Sequence, residues 1–427
     1  MAAMIRRLLV FALGAALPVL ATDAPFDAAT AANQFGLDLY RQLAALSPHG
    51  NLVLSPYSVD SALVLAYAGA DGATRREMGA ALHFPADDAA LQTSFGVLRT
   101  SLQQLVSPIA VTPGTPQTDG DDERPVAWQQ ITLLFGQRGY DFRPSFLSHL
   151  KDDCSAPFAS IDFRTEAEAG RQAINAWIAR QTHGKIHDLI PVRGLNHRTR
   201  LVLVNALYLK APWKSPFEEA ETRPRSFAVP GIEAPKVPIM RQTADFHYAK
   251  EAGLTVVALD YAGCDLQFLI LLPDEGTGCD ALAARLAPKD FKTWAELGEK
   301  SRPTLVTLYL PKFRIEGLTQ PLGSALRTLG MKQAFDEPRG SADFSRIAPR
   351  QPDDALSLSE VFHQTSIAVD EKGTEASAAT ALALATLGIS SEPPRPIIVR
   401  VDRPFLFVIQ HRATGICLFL GRITDPR

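Results

Sequence analysis

Glu371-Lys-Gly-Thr-Glu-Ala-Ser-Ala-Ala-Thr380 decides how this chain is read. The run of small residues follows a strand-like stretch, Leu356-Ser-Leu-Ser-Glu-Val-Phe-His-Gln-Thr-Ser-Ile-Ala-Val369, and precedes another, Phe405-Leu-Phe-Val-Ile409. The segment between them, Gly373 to Arg403, is too long for an ordinary hairpin loop. It also carries a period of two. Thr374, Ala376, Ala378, Thr380, Leu382 and Leu384 share one face of an extended chain, and Glu375, Ser377, Ala379, Ala381, Ala383 and Ala385 share the other. The first face begins small and ends apolar, which suits burial. The second is small or polar, which suits solvent. The loop is written as a strand able to enter a sheet. A flexible Ala-rich linker is the plain alternative, but it accounts for neither the in-register face nor the flanking strands.

Working outward, this combination resembles the hinge and reactive-centre loop of the serpins, and the resemblance runs from about Phe26 to Pro426. Asn51-Leu-Val-Leu-Ser-Pro-Tyr-Ser58 looks like the family's N-x-x-x-S-P-x-S motif. Asn175-Ala-Trp177 with Thr182-His-Gly-Lys-Ile186 looks like its N-x-W…T-x-G-K-I block. Leu201-Val-Leu-Val-Asn-Ala-Leu-Tyr-Leu-Lys210, with Trp213 and Phe217, looks like its L-V-N-A…W-x-x-P-F segment. Val237-Pro-Ile-Met240, Leu272-Pro-Asp-Glu-Gly276, Asp343-Phe-Ser345 and Phe419-Leu-Gly-Arg422 follow in the family's order. Each motif is weak alone; the ordered set is specific. It implies an α+β fold, one domain over residues 22–427 with large mixed and antiparallel sheets, surrounding helices and an exposed loop at 371–400.

The resemblance also implies a function and a set of site residues. The chain would be the bait of a serine or possibly cysteine protease. Cleavage gives an acyl-enzyme, the freed loop enters the large sheet, and the trapped protease cannot deacylate. Glu371, Gly373, Thr374, Glu375, Ala376, Ser377, Ala378, Ala379 and Thr380 would form the hinge. Gly gives backbone freedom there, while a charge or Pro would slow threading. Ser55, Ser58, Asn205 and His363 match shutter positions that control opening of the sheet. Each is a polar residue in an apolar context that needs a partner if buried. Trp213 matches the tryptophan at the breach, where the loop first enters. Beside it Ala211-Pro212 replaces a usual Gly, so a local turn difference is expected. The family spacing of fourteen residues from the hinge Gly reaches Leu387, followed by Gly388. The longer, Pro-rich continuation leaves Leu384 and Ile389 open as alternatives. Leu suits an apolar primary pocket, as in chymotrypsin-, cathepsin G- or subtilisin-like proteases. A non-inhibitory carrier or folding helper is the alternative function, but such relatives carry charged, Pro or bulky hinge residues.

Composition agrees with this and excludes other classes. The chain has 427 residues, net charge −3 and mixed charges, with no nucleic-acid or polybasic membrane footprint. There is no G-x-S-x-G, H-E-x-x-H, G-x-G-x-x-G or P-loop. Ser148-His-Leu-Lys151 matches S-x-x-K without its companion motifs. No histidine spacing suits a metal, and no cofactor or metal is expected. The expected partner is a protease, bound covalently by a monomer. Residues 1–21 read as a secretory signal. Arg6-Arg7 leads, Leu8 to Leu20 is apolar, and Val19-Leu-Ala21 offers a cleavage site. The apolar run, roughly 13 residues, is short of the ~20 a membrane anchor needs. The mature chain is therefore expected to be extracellular, or periplasmic in a Gram-negative cell. Export permits disulfides among Cys154, Cys264, Cys279 and Cys417. Three pairings are open, a Cys264–Cys279 bond among the candidates, and Cys264 and Cys417 also suit buried thiols in strand-like runs.

Helices are predicted over 26–48, Ser58–Ala70 (capped by Ser58 or Asp60), Thr74–Leu82, Asp87–Leu105, Arg143–Lys151, Glu166–Gln181, Asp280–Leu286 and Leu318–Leu329, the last stopped by Gly330. Strands are predicted over Trp128–Phe135, Thr199–Leu209, Leu254–Leu259, Leu266–Leu272 and Leu305–Phe313. The acidic, Pro/Gly-rich stretch 107–125 reads as a surface excursion, and its charge disfavours a heparin-type site.

Overall fold

The computed structural model describes residues 25–105, 126–152, 158–182, 184, 186–251, 253–350, 355–374 and 395–427. The expectations for residues 1–21 and 107–125, for Cys154, and for the hinge and loop from Glu375 through Ala376, Ser377, Ala378, Ala379, Thr380, Leu384, Leu387, Gly388 and Ile389 lie outside the described residues.

The apolar, β-branched runs form two sheets. The larger holds β1 (Leu52–Leu54), β5 (Arg223–Ser226), β6 (Lys236–Glu251), β7 (Leu254–Asp260), β8 (Leu266–Pro273), β9 (Thr304–Pro311), β13 (Ile397–Arg400), β14 (Phe405–His411) and β15 (Cys417–Ile423). Its order is β1-β15-β14-β8-β7-β6-β9-β13, with β5 on β6. The other, order β10-β11-β12-β4-β2-β3, is built from β2 (Ala127–Gln137), β3 (Phe158–Ile161), β4 (Leu201–Pro212), β10 (Phe313–Pro321), β11 (Leu358–Val369) and β12 (Gly373–Thr374). Helices α1 (Ala28–Leu46), α2 (Pro56–Gly69), α3 (Gly72–Ala81), α4 (Asp88–Gln103), α5 (Pro144–Asp152), α6 (Phe163–Gln181), α7 (Cys279–Arg285), α8 (Pro288–Ala295), α9 (Leu297–Lys300) and α10 (Gly323–Thr328) surround them.

Alternation along β2 and β4 decides which layer meets which. Ile131, Leu133, Phe135, Val202 and Val204 bury one face against Ile174 and Ile178 of α6. Leu134, Leu201 and Leu203 bury the other with Leu63 and Ala66 of α2. Both faces of the six-stranded sheet are therefore covered where its central strands meet. Each fully buried Leu or Val contributes on the order of 1.5–3 kcal/mol.

Five expectations change. The stretch predicted as a single strand over Leu305–Phe313 is two strands in different sheets, with Lys312 between them. The helix predicted from Leu318 starts at Gly323, because Thr319 and Gln320 pair with Gln364 and His363. Its end is as expected: Gly330 has φ +107° and donates to Arg327, while Met331 donates to Leu326, a Schellman turn. Helix α2 is capped by Ser55, neither by Ser58 nor by Asp60, since Pro56 at the first position lacks the N–H that would need a cap. Asp60 sits inside the helix, fully buried with both carboxyl oxygens unpartnered, and burial raises its pKa well above the usual range. No turn occurs at Ala211-Pro212; β4 runs through both. Cys264, Cys279 and Cys417 are free thiols, so the Cys264–Cys279 bond is not formed. Cys264 lies in the β7–β8 turn instead of a strand, and Cys279 lies beyond the far end of β8. A strand of that length separates them by about 27 Å, far over disulfide reach.

Candidate functional site

The site is a seam. Strands β4 and β11 lie side by side and run parallel, from Leu201 opposite Leu358 to Leu207 opposite Thr365. Beyond that point they part, and β12 stands between them. Thr374 pairs antiparallel with Ala211 on one side and Val369 on the other, and Gly373 pairs with Pro212. Thr374, the first residue of the period-2 stretch, and Gly373 before it are therefore already in the sheet.

A tight turn delivers them. Asp370 ends β11, and its carboxylate accepts from Lys372 N at 2.8 Å and Gly373 N at 3.2 Å. Asp370 N donates to Gly373 O at 3.0 Å. Pro212 has no N–H to offer Gly373, so the turn supplies that partner itself. Gly373 is required by closeness: a Cβ there would lie 2.2 Å from Ala211 O. Thr374 is buried, with its Oγ1 2.5 Å from the Tyr261 hydroxyl. Tyr261 stacks on Trp213 at 4.7 Å. The Trp213 indole N–H donates to Asp370 O at 2.9 Å, and its backbone N–H donates to Lys372 O at 2.8 Å. Glu371 accepts from Lys312 Nζ and Thr222 Oγ1, both at 2.7 Å. Burial works against its charge, but these two bonds outweigh burial and hold the carboxyl below its usual pKa.

One turn down the seam, the four shutter positions meet. His363 and Asn205 are register partners across the β4–β11 pair. His363 Nε2 accepts from Ser55 N at 3.0 Å, so Nδ1 carries the proton and donates to Asn205 Oδ1 at 2.9 Å. That oxygen also accepts from Ser58 Oγ at 2.8 Å. Asn205 Nδ2 donates to Ser58 O at 2.9 Å and Thr132 Oγ1 at 3.1 Å. Ser58 N donates to Ser55 Oγ at 3.2 Å. All four residues are fully buried. The amide of Asn205 thus uses both donors and both lone pairs. Burial pulls the His363 pKa down to about 3, which keeps the ring neutral.

Sequence reasoning missed Thr132, Thr222, Tyr261, Lys312 and Asp370. Asp370 had a local signal, an Asp two residues before a Lys-Gly turn. Tyr261 and Lys312 had none, because Tyr261 reaches the hinge from the β7–β8 turn of the larger sheet and Lys312 from the link between β9 and β10. Among the described residues no group of His, Cys, Asp or Glu could hold a metal.

With this geometry in place, the comparisons are informative. The sequence pattern described as "Serpin (serine protease inhibitor)" matches residues 30–426. An uncharacterized serpin-like protein of Thermococcus kodakarensis is 37% identical, over 93% of this chain and 85% of that protein. Leukocyte elastase inhibitor of Bos taurus is 33% identical, over 93% and 99%. Human thyroxine-binding globulin, solved with its thyroid hormone, is 29% identical, covers 93% of this chain and 98% of that one, and superposes with a TM-score of 0.77.

Proposed function

The chain belongs to the serpin family, and from that premise we propose that it inhibits a serine protease by offering its loop as bait and being consumed. Serpins act as protease inhibitors instead of catalysts, and inhibitory relatives stand among those that match this chain.

One observation carries the reading. Strand β12 lies antiparallel to both β4 and β11, which run parallel to each other below it. Continued insertion would exchange a parallel pairing for two antiparallel ones, and parallel pairing is the slightly weaker of the two. Length also agrees: β4 and β11 are 12 residues each, and Thr374 to Leu387 is 14. An inserted loop would carry Leu387 along the whole seam, about 45 Å. The small residues at Ala376, Ala378 and Thr380 would face inward in the alternation that Thr374 begins.

In the proposed chemistry the protease nucleophile attacks the Leu387 carbonyl and the Gly388 amine leaves. Insertion then separates the acylated residue from water and from the groups that would deacylate it. The favoured target has an apolar primary pocket, chymotrypsin-, cathepsin G- or subtilisin-like. The native form is then a kinetic trap released by cleavage. On the same reading residues 1–21 are removed and the mature monomer works outside the cell, or in a periplasm, without a cofactor. N-terminal sequencing of exported protein checks that start.

The test is incubation with chymotrypsin, elastase, subtilisin and trypsin, followed by a denaturing gel and the mass of the released peptide. A resistant band at the summed mass is expected, with release starting at Gly388. Leu387→Arg should move the preference to trypsin. Loop cleavage by several of these proteases with no such band overturns the inhibitory reading in favour of a non-inhibitory member.

A further inference from the structure

We propose that the cleft enclosed by α2, α3, α4 and the start of α5 binds a small hydrophobic monocarboxylate. Its volume is about 560 Å³, within the roughly 300–1,000 Å³ typical of small-molecule sites. Helical spacing builds its walls. Val64, Tyr67 and Ala68 lie three and four residues apart on α2, and Asp88, Leu91, Gln92 and Phe95 recur in the same way along α4. Phe146, from the first turn of α5, completes the apolar lining. Tyr67, Leu91 and Phe146 are buried, while Val64, Ala68 and Phe95 are half-buried. Phe84 stands between Tyr67 and Phe95, edge-to-face with each at 5.2 and 5.6 Å between ring centres, which fixes the wall.

The charged rim is uneven. Three arginines, Arg75, Arg143 and Arg346, face two aspartates, Asp71 and Asp88. Arg75 is spent: it pairs with Asp88, donates to Tyr67 O at 2.6 Å and lies 3.8 Å from the Tyr67 ring centre. Arg346 meets Asp71 at 3.3 Å and Asp88 at 3.8 Å. Arg143 has no acidic partner among the described residues. Its backbone N–H donates to Ile347 O at 2.8 Å and its Nε to Ser345 O at 2.6 Å. The Asp343 carboxylate in turn accepts from Ser345 N at 3.1 Å. The guanidinium is thus held by its Nε edge, and among the described residues both Nη groups are unspent. A planar fork fixed in this way loses little freedom on gripping a carboxylate, whose two oxygens match its paired N–H groups.

One surplus positive charge on the rim matches one negative charge on the ligand, and the apolar walls match an apolar body. Inorganic phosphate would leave those walls unused, and an amine would meet the surplus charge. Three aromatic side chains in the lining suit a rigid ring, which loses little freedom on binding. No residue of the cleft belongs to the hinge or the shutter, so the inference is independent of how the loop works.

The experiment titrates full-length mature protein with naphthylacetate in a calorimeter at about pH 7.5, where the acid is ionised. Naphthylethanol, naphthylethylamine, acetate and inorganic phosphate are titrated alongside. Naphthylacetate is expected to bind with a dissociation constant on the order of 100 µM. The alcohol should bind about tenfold more weakly, for want of the charge-assisted bonds, and the other three should give no saturable heat. Arg143→Gln, at an exposed position, should lower the ratio of acid to alcohol affinity by about tenfold. Ala68→Leu should weaken acid and alcohol together by filling the cleft, and unchanged thermal midpoints confirm that both variants fold. Absence of binding by the wild type, or equal affinity for acid, alcohol and amine, overturns the proposal. Phosphate binding as tight as the acid's also overturns it, and assigns the rim to a bare anion. An unchanged ratio in Arg143→Gln overturns it by placing the acid elsewhere.

Discussion

The two ends of the β4–β11 seam are closed by different means. At the shutter end, closure is a side-chain matter: Asn205 joins His363, Ser58 and Thr132 in a buried network with every donor and acceptor of its amide used. At the hinge end, closure is a backbone matter: Gly373 and Thr374 already fill the gap, held by a turn and by Trp213, Tyr261 and Glu371. If the loop inserts as proposed, the difference teaches where resistance to insertion would reside. On the proposed reading, a strand entering from the hinge would continue an existing ladder, part the Thr365–Leu207 and Gln364–Ala206 pairings first, and then have to break the His363–Asn205 bond.

Breaking the hinge end should have the largest effect. Thr374→Arg would place an uncompensated charge where a hydroxyl now meets Tyr261. Trapped protease complex should fall more than about tenfold, the equivalent of about 1.4 kcal/mol, while loop cleavage continues. Densitometry of complex against cleaved product reads this, and unchanged partition would mean that the hinge does not lead insertion.

At the shutter, Asn205→Ala would orphan the His363 Nδ1–H and the Ser58 hydroxyl in the core. The loss should be about 2–5 kcal/mol of native stability. Denaturant unfolding measures it, and a synthetic peptide of residues 375–387 should enter the sheet faster. Slower or equal uptake would show that the seam opens elsewhere first.

Acid separates the two ends. Between pH 6.5 and about 3 the unfolded chain protonates His363 while the native form does not. Native stability at the shutter therefore falls as pH falls through that window, by up to about 1.4 kcal/mol per unit. Above pH 6.5 both forms are neutral and the slope vanishes. His363→Gln should flatten the difference between unfolding midpoints at pH 7.5 and pH 5.5. Glu371 behaves differently: its lowered pKa contributes stability above pH 4.5 and loses it only below. Opening by mild acid should thus begin at the shutter.

The smallest effect is expected at Glu371→Gln. It weakens one partly exposed bridge to Lys312, for about 1 kcal/mol or less. Hydrogen exchange at Gly373 and Thr374 should rise while exchange at Asn205 stays unchanged. A matching rise at Asn205 would mean that the two ends act as one.

Much of this was legible along the chain because it is written in period and order. The alternation from Thr374 onward, the apolar runs of β4 and β11, and the ordered motifs identified the fold and placed Ser55, Ser58, Asn205, His363 and Trp213. Helix ends were readable where their chemistry is local, as at Gly330. Errors arose where a distant partner decided. Pairing of Thr319 and Gln320 with β11 turned a helical pattern into strand; the cap of α2 at Ser55, by contrast, is a local matter set by Pro56 at the first helical position.

The sequence by itself determined that residues 374 onward could become a strand, since small side chains on one face are a property of the chain alone. Only the tertiary structure decided that Gly373 and Thr374 are already one. That depends on β4 and β11 parting above Leu207 and Thr365, on Tyr261 arriving from another sheet, and on Lys312 meeting Glu371. Backbone pairing and hydrogen bonds between residues some 60 to 160 positions apart leave no period in the sequence, so they become visible only once the strands are in place.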